Sequence, residues 1–99
     1  MNFKVIALKA FSDQIKKLDK KTKHLVYEKI QLIKSNPYCY KRIHSKSYSK
    51  VFRIRLSIKF KETRLIYAII EPNIILVCLL DRKKDYKDLE KYLKKIGRK

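Results

Sequence analysis

The chain has 99 residues, and 27 lysines and arginines against nine aspartates and glutamates give it a formal net charge of +18. Its apolar fraction of 45% excludes a disordered basic tail, and its length allows one modest hydrophobic core. We therefore expect a single folded domain over residues 1–99. So large a charge excess favours a polyanionic partner, such as nucleic acid or an acidic protein, over a membrane surface.

Residues 2–8 begin with alternating polar and apolar side chains and lack the long apolar core of a signal peptide, which predicts a strand. The longest apolar run, Ile74 to Leu80, is too short to span a bilayer. Cys39 and Cys78 lack CxxC spacing, and Cys78 lies in the apolar run, as a small buried hydrophobe would. We therefore expect a soluble cytoplasmic protein that does not contact a membrane.

Two helices are predicted before residue 36. Ser12 is the expected N-cap of the first helix, and residues 19–22 are expected to separate it from the second. The second helix ends at Ser35-Asn36-Pro37, because proline cannot continue a helix. The apolar positions with helical spacing are Phe11, Ile15 and Leu18 in the first helix and Leu25, Val26, Ile30 and Ile33 in the second. The two helices form a hairpin with one apolar face.

Three strands are predicted after a polar, basic connection over residues 38–50. They cover about 51–58, 63–70 and 74–80. The turn Glu71-Pro72-Asn73 is short enough to join the last two as an antiparallel hairpin. The 74–80 segment is apolar at every position, which is typical of a central strand.

The first of these strands alternates strictly between apolar and cationic residues. Arg53 and Arg55 therefore point to one face of the sheet, and their apolar neighbours point to the other. Residues 59–62 are expected to form a loose turn without glycine. If the next strand pairs with the first, Arg64 joins Arg53 and Arg55 on one phosphate-binding surface. The apolar neighbours are Phe52, Ile54 and Leu56.

A C-terminal helix completes the expected fold. Its apolar residues lie at helical spacing and are Tyr86, Leu89, Leu93 and Ile96. The sequence thus predicts an α+β protein in the order β-α-α-β-β-β-α, with a small, mostly antiparallel sheet, an N-terminal helical hairpin and a C-terminal helix.

Two segments concentrate the positive charge. Residues 41–64 contain nine lysines and arginines against one glutamate, and residues 82–99 contain nine against three acids. We expect both to border the outward face of the sheet and to contact phosphates without reading base sequence. The candidate RNA-binding residues are Lys41, Arg42, His44, Lys46, Lys50, Lys59, Lys61 and Lys84. Rings for base stacking are available at Tyr40, Tyr48, Tyr67, Tyr86 and Tyr92, of which Tyr67 and Tyr92 fall at core positions.

No metal-ligand spacing is readable in the sequence, because His24 and His44 are isolated and the cysteines are unpaired. There is no nucleophilic triad pattern and no glycine-rich phosphate loop, so we expect neither a metal nor a cofactor. RNA carries its own nucleophile, the 2′-OH. A basic protein can therefore cleave RNA by aligning that hydroxyl and stabilising the phosphorane with arginine or lysine. DNA lacks this hydroxyl, so a nuclease of this composition is expected to cut RNA.

The element order and four segments together resemble the RelE/ParE superfamily of toxins over essentially the whole chain. The segments are Asn36-Pro37, Phe52-Arg53-Ile54-Arg55-Leu56, Arg64-Leu65-Ile66-Tyr67 and Asp81-Arg82-Lys83-Lys84-Asp85-Tyr86. The resemblance implies the toxin of a type II toxin–antitoxin system. Such a toxin cleaves messenger RNA in the ribosomal A site, by 2′-OH attack that leaves a 2′,3′-cyclic phosphate, and so inhibits translation. It also implies a cognate, RelB-like antitoxin that covers this surface in a hetero-oligomer.

In this resemblance the strand arginines take the catalytic phosphate roles. Arg53 and Arg55 would bind or activate the scissile region, and Arg64 would stabilise the phosphorane. In this resemblance, the corresponding strand of RelE has lysines in place of Arg53 and Arg55. Because an arginine stays protonated, it is a poor general base. The general base is therefore left to another residue.

The remaining catalytic roles fall on the C-terminal segment and one loop residue. The resemblance implies Arg82 or Lys83 as the general acid and Tyr86 as the residue that stacks on or orients a base of the RNA. His44 and Tyr86 are both candidates for the general base. Two other functions stay open: a ParE-like inhibitor of DNA gyrase without nuclease activity, and a non-toxic basic RNA- or ribosome-binding domain.

Overall fold

The computed structural model describes residues 3–81 and 88–97. Its elements are β1 (Lys4–Ala7), α1 (Lys9–Lys16), α2 (Lys20–Ser35), β2 (Lys41–Ile43), β3 (Val51–Ile58), β4 (Lys61–Ile70), β5 (Asn73–Asp81), α3 (Leu89–Leu93) and a 3₁₀ turn (Lys94–Gly97). The strands form one sheet in the order β1-β5-β4-β3-β2, in which β1 runs parallel to β5 and all other neighbours are antiparallel. The predicted α+β class is confirmed.

The predicted element order was wrong in one respect, because it lacked β2. This strand lies inside the segment expected to be a connection, and it pairs antiparallel with residues 51–53 of β3. Three residues are too few to show a strand period, so the pairing alone reveals the strand. The prediction that the apolar 74–80 segment is central is confirmed, because β5 lies between β1 and β4.

The helical hairpin covers one face of the sheet. Val26 and Ile33 of α2 are fully buried, and their spacing of seven residues places them on one side of the helix. They belong to a core cluster shared with α1 and with strands β3 to β5. The other buried residues of this cluster are Phe11, Phe52, Ile54, Leu56, Leu65, Tyr67, Ile69, Ile74 and Leu76. The apolar half of the β3 alternation therefore faces the helices, as predicted.

The two helices begin where backbone and side-chain bonds fix them. The Leu8 N–H still donates to Leu76 of β5, at 3.0 Å, and α1 starts at the next residue without a side-chain cap. The prediction of Ser12 as N-cap is therefore wrong, because Ser12 donates to the Leu8 carbonyl inside the first turn. For α2, the cap is Asp19, whose Oδ1 accepts from the Thr22 N–H at 2.8 Å. Hydrogen bonding from the side chain of Thr22, and then from its N–H, lowers the pKa of Asp19. Because α2 begins at Lys20, the break between the helices is shorter than predicted.

The opposite face of the sheet carries a second apolar cluster, which α3 covers. Leu89 and Leu93 of α3 are buried against the sheet residues Val51, Ile66, Ala68, Ile75, Val77, Cys78 and Leu80. Burial raises the pKa of the Cys78 thiol to about 12, so this cysteine is an inert core residue, as predicted. The C-terminal helix therefore caps the face to which the β3 arginines point.

The hairpin between β3 and β4 is tighter than the sequence indicated. Ile58 pairs directly with Lys61, so the loop contains only two residues, Lys59 and Phe60. Both have positive φ angles, 50° and 67°, which is the backbone of a type I′ turn. Non-glycine residues pay roughly 1–2 kcal/mol each for this left-handed conformation. The right-handed twist of the paired strands selects this turn in spite of that cost.

Candidate functional site

The strand registers bring four cations to one face of the sheet. Arg53 lies opposite Lys41 of β2, and Arg55 lies opposite Arg64 of β4. Directly opposed residues share a face, with Cβ atoms about 5 Å apart. We call Lys41, Arg53, Arg55 and Arg64 the arginine face. The prediction that pairing of the two strands brings a third guanidinium to this surface is confirmed.

Arg55 and Arg64 form the centre of the arginine face. Like charges directly opposite each other destabilise a sheet, so the pair is poised for an anion. Glu62 supplies one, because its Oε1 lies 3.6 Å from Arg55 Nε. The Arg55 side chain is 61% exposed, and ion pairs this exposed contribute under about 1 kcal/mol. This ion pair therefore holds Arg55 only weakly.

The two arginines of β3 are not equivalent. Arg53 is only 9% exposed, whereas Arg55 reaches solvent. Arg53 lies in a row across the sheet with the buried residues Ile66 and Cys78, while Arg64 lies in the next row beside Leu80. The face thus changes from apolar under α3 to cationic towards the hairpin, and Arg55 and Arg64 are its more accessible arginines.

The loop between β2 and β3, which carries His44 and Lys46, is held by α3. Glu90 of α3 accepts two hydrogen bonds through its two carboxylate oxygens, one from the Lys46 N–H at 3.0 Å and one from the Ser47 hydroxyl at 2.7 Å. The Ser47 bond lowers the pKa of Glu90. This clamp therefore stabilises the structure above pH 4.5, the ordinary value for glutamate, and is lost as the pH falls through the lowered value.

Replacement of Glu90 by alanine is expected to speed amide hydrogen exchange at Lys46 about 2- to 10-fold, because one net hydrogen bond is lost. Glu90→Gln keeps an acceptor oxygen, so its exchange rate at Lys46 should lie between those of Glu90→Ala and the wild type. Glu28→Ala, at an exposed acid of α2, is the matched control and should leave this amide unchanged. Equal exchange at Lys46 in Glu90→Ala and the wild type would contradict the clamp.

Four of the predicted RNA-binding residues lie away from the arginine face: Arg42, Lys50, Lys59 and Lys61. Arg42 lies opposite Phe52, so it faces the helices; its Nε donates to the Ser49 carbonyl at 2.8 Å. Lys50, before β3, lies 3.6 Å from Glu71, which also accepts from the Tyr38 hydroxyl. Lys59 and Lys61 lie at the far tip of the hairpin. The eight residues of β3 lie between Lys50 and the hairpin tip, so the two are separated by roughly 26 Å.

Four of the tyrosines proposed for base stacking are buried in the core or packed against it. Tyr67 is fully buried, as predicted, and its hydroxyl donates to the Pro37 carbonyl at 2.6 Å. Burial raises the pKa of Tyr67 well above its usual value. Tyr40 packs against the cluster under the helices, and Tyr48 and Tyr92 pack against the cluster under α3. Among the described residues, these four rings therefore support the fold, and Tyr67 offers no surface to a base.

Four predicted site residues lie outside the described residues: Arg82, Lys83, Lys84 and Tyr86. His44, the other candidate general base, is exposed in the loop after β2. Over residues 3–81 and 88–97, no three His, Cys, Asp or Glu side chains are grouped as a metal site would require. In the same ranges, no helix has the length and apolar character needed to cross a membrane.

Two residues of interest were not singled out from the sequence. Glu90 lies 44 residues from Lys46, and no local pattern connects a helical glutamate with a distant loop amide. Phe60 stands in the segment that was interpreted as a loose turn. Its single apolar ring between two lysines was the available signal.

No protein-family model matches the sequence, and no curated protein matches it either. Solved structures do resemble the fold. A free, doubly mutated form of the E. coli toxin RelE matches with a TM-score of 0.72 at 15% identity, covering 97% of this chain and 99% of that one. The isolated E. coli RelE toxin matches with a TM-score of 0.66 at 12% identity and the same coverage. The intact E. coli RelBE toxin–antitoxin complex matches with a TM-score of 0.62 at 13% identity, covering 85% of this chain and 100% of that one. The chain therefore has the RelE toxin fold over nearly its full length.

Proposed function

We propose that this protein is the toxin of a type II toxin–antitoxin system and that it cleaves messenger RNA on the ribosome. The observation that carries the proposal is the Arg55–Arg64 pair, two guanidinium groups directly opposed on one face of a RelE-like sheet. Arg53 and Lys41 extend this cationic face across β2 and β3. The net charge of +18 favours binding to the phosphates of RNA.

The proposed reaction needs no group beyond RNA and side chains. The ribose 2′-oxygen attacks the adjacent phosphorus and forms a phosphorane, and the bond from phosphorus to the 5′-oxygen then breaks. The products are a 2′,3′-cyclic phosphate and a 5′-hydroxyl. Negative charge grows on the non-bridging oxygens, and the forked donors of Arg55 and Arg64 stabilise it, which is usually the largest catalytic term.

Two proton transfers complete the reaction. A base takes the proton of the 2′-OH, and an acid gives one to the leaving 5′-oxygen. We assign the general acid to Arg82 or Lys83 and the general base to His44 or Tyr86. Tyr86 also stacks on or orients a nucleobase of the RNA. The arginines of the sheet stay protonated, so their role is binding and charge stabilisation.

The proposed partners follow from the charge and from the fold. An RelB-like antitoxin of acidic or amphipathic character would cover the arginine face, since a cationic surface attracts an anionic chain. The E. coli RelBE toxin–antitoxin complex, whose toxin shares this fold, supports such a partner. The proposed targets are the ribosome and its messenger RNA in the cytoplasm.

Primer extension on translated messenger RNA after induced expression tests the proposal. We expect new 5′ ends within translated regions, and none in the same transcript whose start codon is removed. A supercoiling assay with DNA gyrase runs in parallel. Gyrase inhibition with intact messenger RNA would replace the proposal with the ParE-like alternative. Intact messenger RNA without gyrase inhibition would favour a non-toxic RNA-binding domain.

A further inference from the structure

The tip of the β3–β4 hairpin presents an aromatic ring that the fold does not use. Phe60 is 103% exposed, whereas Tyr27, the next most exposed large apolar residue in ranges 3–81 and 88–97, is 58% exposed. Among the described residues, Phe60 belongs to neither core cluster. Its backbone is held at a φ of 67°, where glycine or asparagine would fit with less strain. A phenylalanine at this position therefore contributes nothing to packing and disfavours the turn.

The surroundings of Phe60 are cationic. Lys59 precedes it and Lys61 follows it, and both are exposed. An open groove of about 500 Å³ lies beside the ring, and Lys21 and His24 of α2 form part of its wall.

The two acids of this groove are already engaged. Asp19 accepts the capping hydrogen bond of α2 from the Thr22 N–H, and Glu28 Oε1 lies 3.1 Å from His24 Nε2. The charge of Lys59 contributes to the lowered pKa of Asp19, and both lysines at the tip remain exposed to an incoming anion. An aromatic ring flanked by exposed cations is a typical arrangement for a base and its phosphates.

We propose that the hairpin tip is a second RNA contact, in which an unpaired base stacks on Phe60 while Lys59 and Lys61 contact the flanking phosphates. A protein partner would favour apolar neighbours around the ring, and Phe60 has lysines on both sides in the chain. The site deepens the proposed function, on which it rests for RNA as the partner. Arg64 lies on the opposite face of the sheet from the α2 groove, four residues or roughly 13 Å along the hairpin from Phe60, so the tip is a contact separate from the arginine face.

The chain contains no tryptophan, so Phe60→Trp introduces a single fluorescent reporter at the tip. The purified full chain is titrated with a short, 2′-O-methylated single-stranded RNA, which it cannot cleave. Stacking is expected to quench the indole emission, and the quenching should persist when Arg64→Ala is added. An unchanged emission while the RNA binds would overturn the proposal, and so would absence of RNA binding by the wild type. Because no cleavage is involved, neither result depends on nuclease activity.

Phe60→Gly removes the ring and also relieves the positive φ, so it is expected to unfold at the same or a higher urea concentration than the wild type. Its affinity for the RNA should nevertheless fall about 5- to 150-fold, the range for loss of one stacked base. Phe60→Tyr keeps a ring and should bind like the wild type. Leu32→Ala removes another exposed apolar side chain, towards the far end of α2, and serves as the control. Equal affinity of Phe60→Gly and the wild type would overturn the proposal.

Discussion

Replacement of Arg64 by alanine is expected to lower the rate of messenger-RNA cleavage about 100- to 1,000-fold, the usual loss when one preorganised donor to a transition-state oxyanion is removed. Arg64 is the candidate because the strand register holds its backbone directly opposite Arg55 on the same face of the sheet. The measurement is single-turnover cleavage of ribosome-bound messenger RNA, followed by primer extension.

Two variants control this experiment. Arg64→Lys keeps the charge and loses the planar fork, so we expect it to recover only part of the rate. Lys34→Ala removes an exposed cation from the end of α2 and should cleave at the wild-type rate. Urea denaturation of each variant shows whether the fold is kept. A folded Arg64→Ala variant that cleaves at the wild-type rate would remove Arg64 from the site.

Replacement of Ile33 by alanine is expected to lower the free energy of unfolding by about 2–5 kcal/mol. Ile33 is 0% exposed and anchors α2 on the sheet, so its truncation removes buried area and leaves a cavity. A domain of this size has a total stability of about 5–15 kcal/mol, so the variant should be partly unfolded at moderate urea concentrations. The midpoint of urea denaturation measures the change.

The neighbouring residue of the same helix provides the matched control. Leu32 is 48% exposed, so Leu32→Ala removes a side chain of equal size with little loss of buried area. We expect its free energy of unfolding to stay within about 0.5 kcal/mol of the wild type. Similar losses in both variants would contradict the packing of α2, because the orientation of the helix would then differ.

Helix α3 contacts both the sheet face that carries the arginines and the loop between β2 and β3. Its apolar side covers the end of the sheet face from which the arginines follow, and its Glu90 holds the loop of His44 and Lys46. Displacement of α3 would therefore expose the second core cluster and release this loop together. A partner that displaces α3 would therefore change the position of the loop that carries His44 and Lys46.

Much of the fold was readable because its signals are local. The alternation around Arg53 and Arg55, the apolar run of β5 and the helical spacing of Val26 and Ile33 each depend on residues that are neighbours in the chain. The structure confirms all three. The local pattern was misleading where a contact between distant segments decides the structure. Ser12 resembled an N-cap, but the hydrogen bond from the Leu8 N–H to Leu76 of β5 precedes an earlier start of α1.

The candidate site was only partly readable for the same reason. Its arginines were named from one strand pattern, but their unequal burial depends on neighbouring strands and on what covers them. Arg42 and Lys50 belong to the same basic segment, yet the pleat and the strand direction carry them to the helix face and the far end of the sheet. Charge counted along a sequence says nothing about which face of a sheet it reaches.

By itself, the sequence determined the class of fold and the face shared by Arg53 and Arg55, and its net charge predicts a polyanionic partner, because periodicity and net charge are properties of the chain alone. The tertiary structure decided which arginine meets which, how Glu90 holds a loop 44 residues away, and that Phe60 stands alone at a strained tip. These depend on pairing register and on contacts between distant segments, which are set by the free energy of the whole fold rather than by any local pattern.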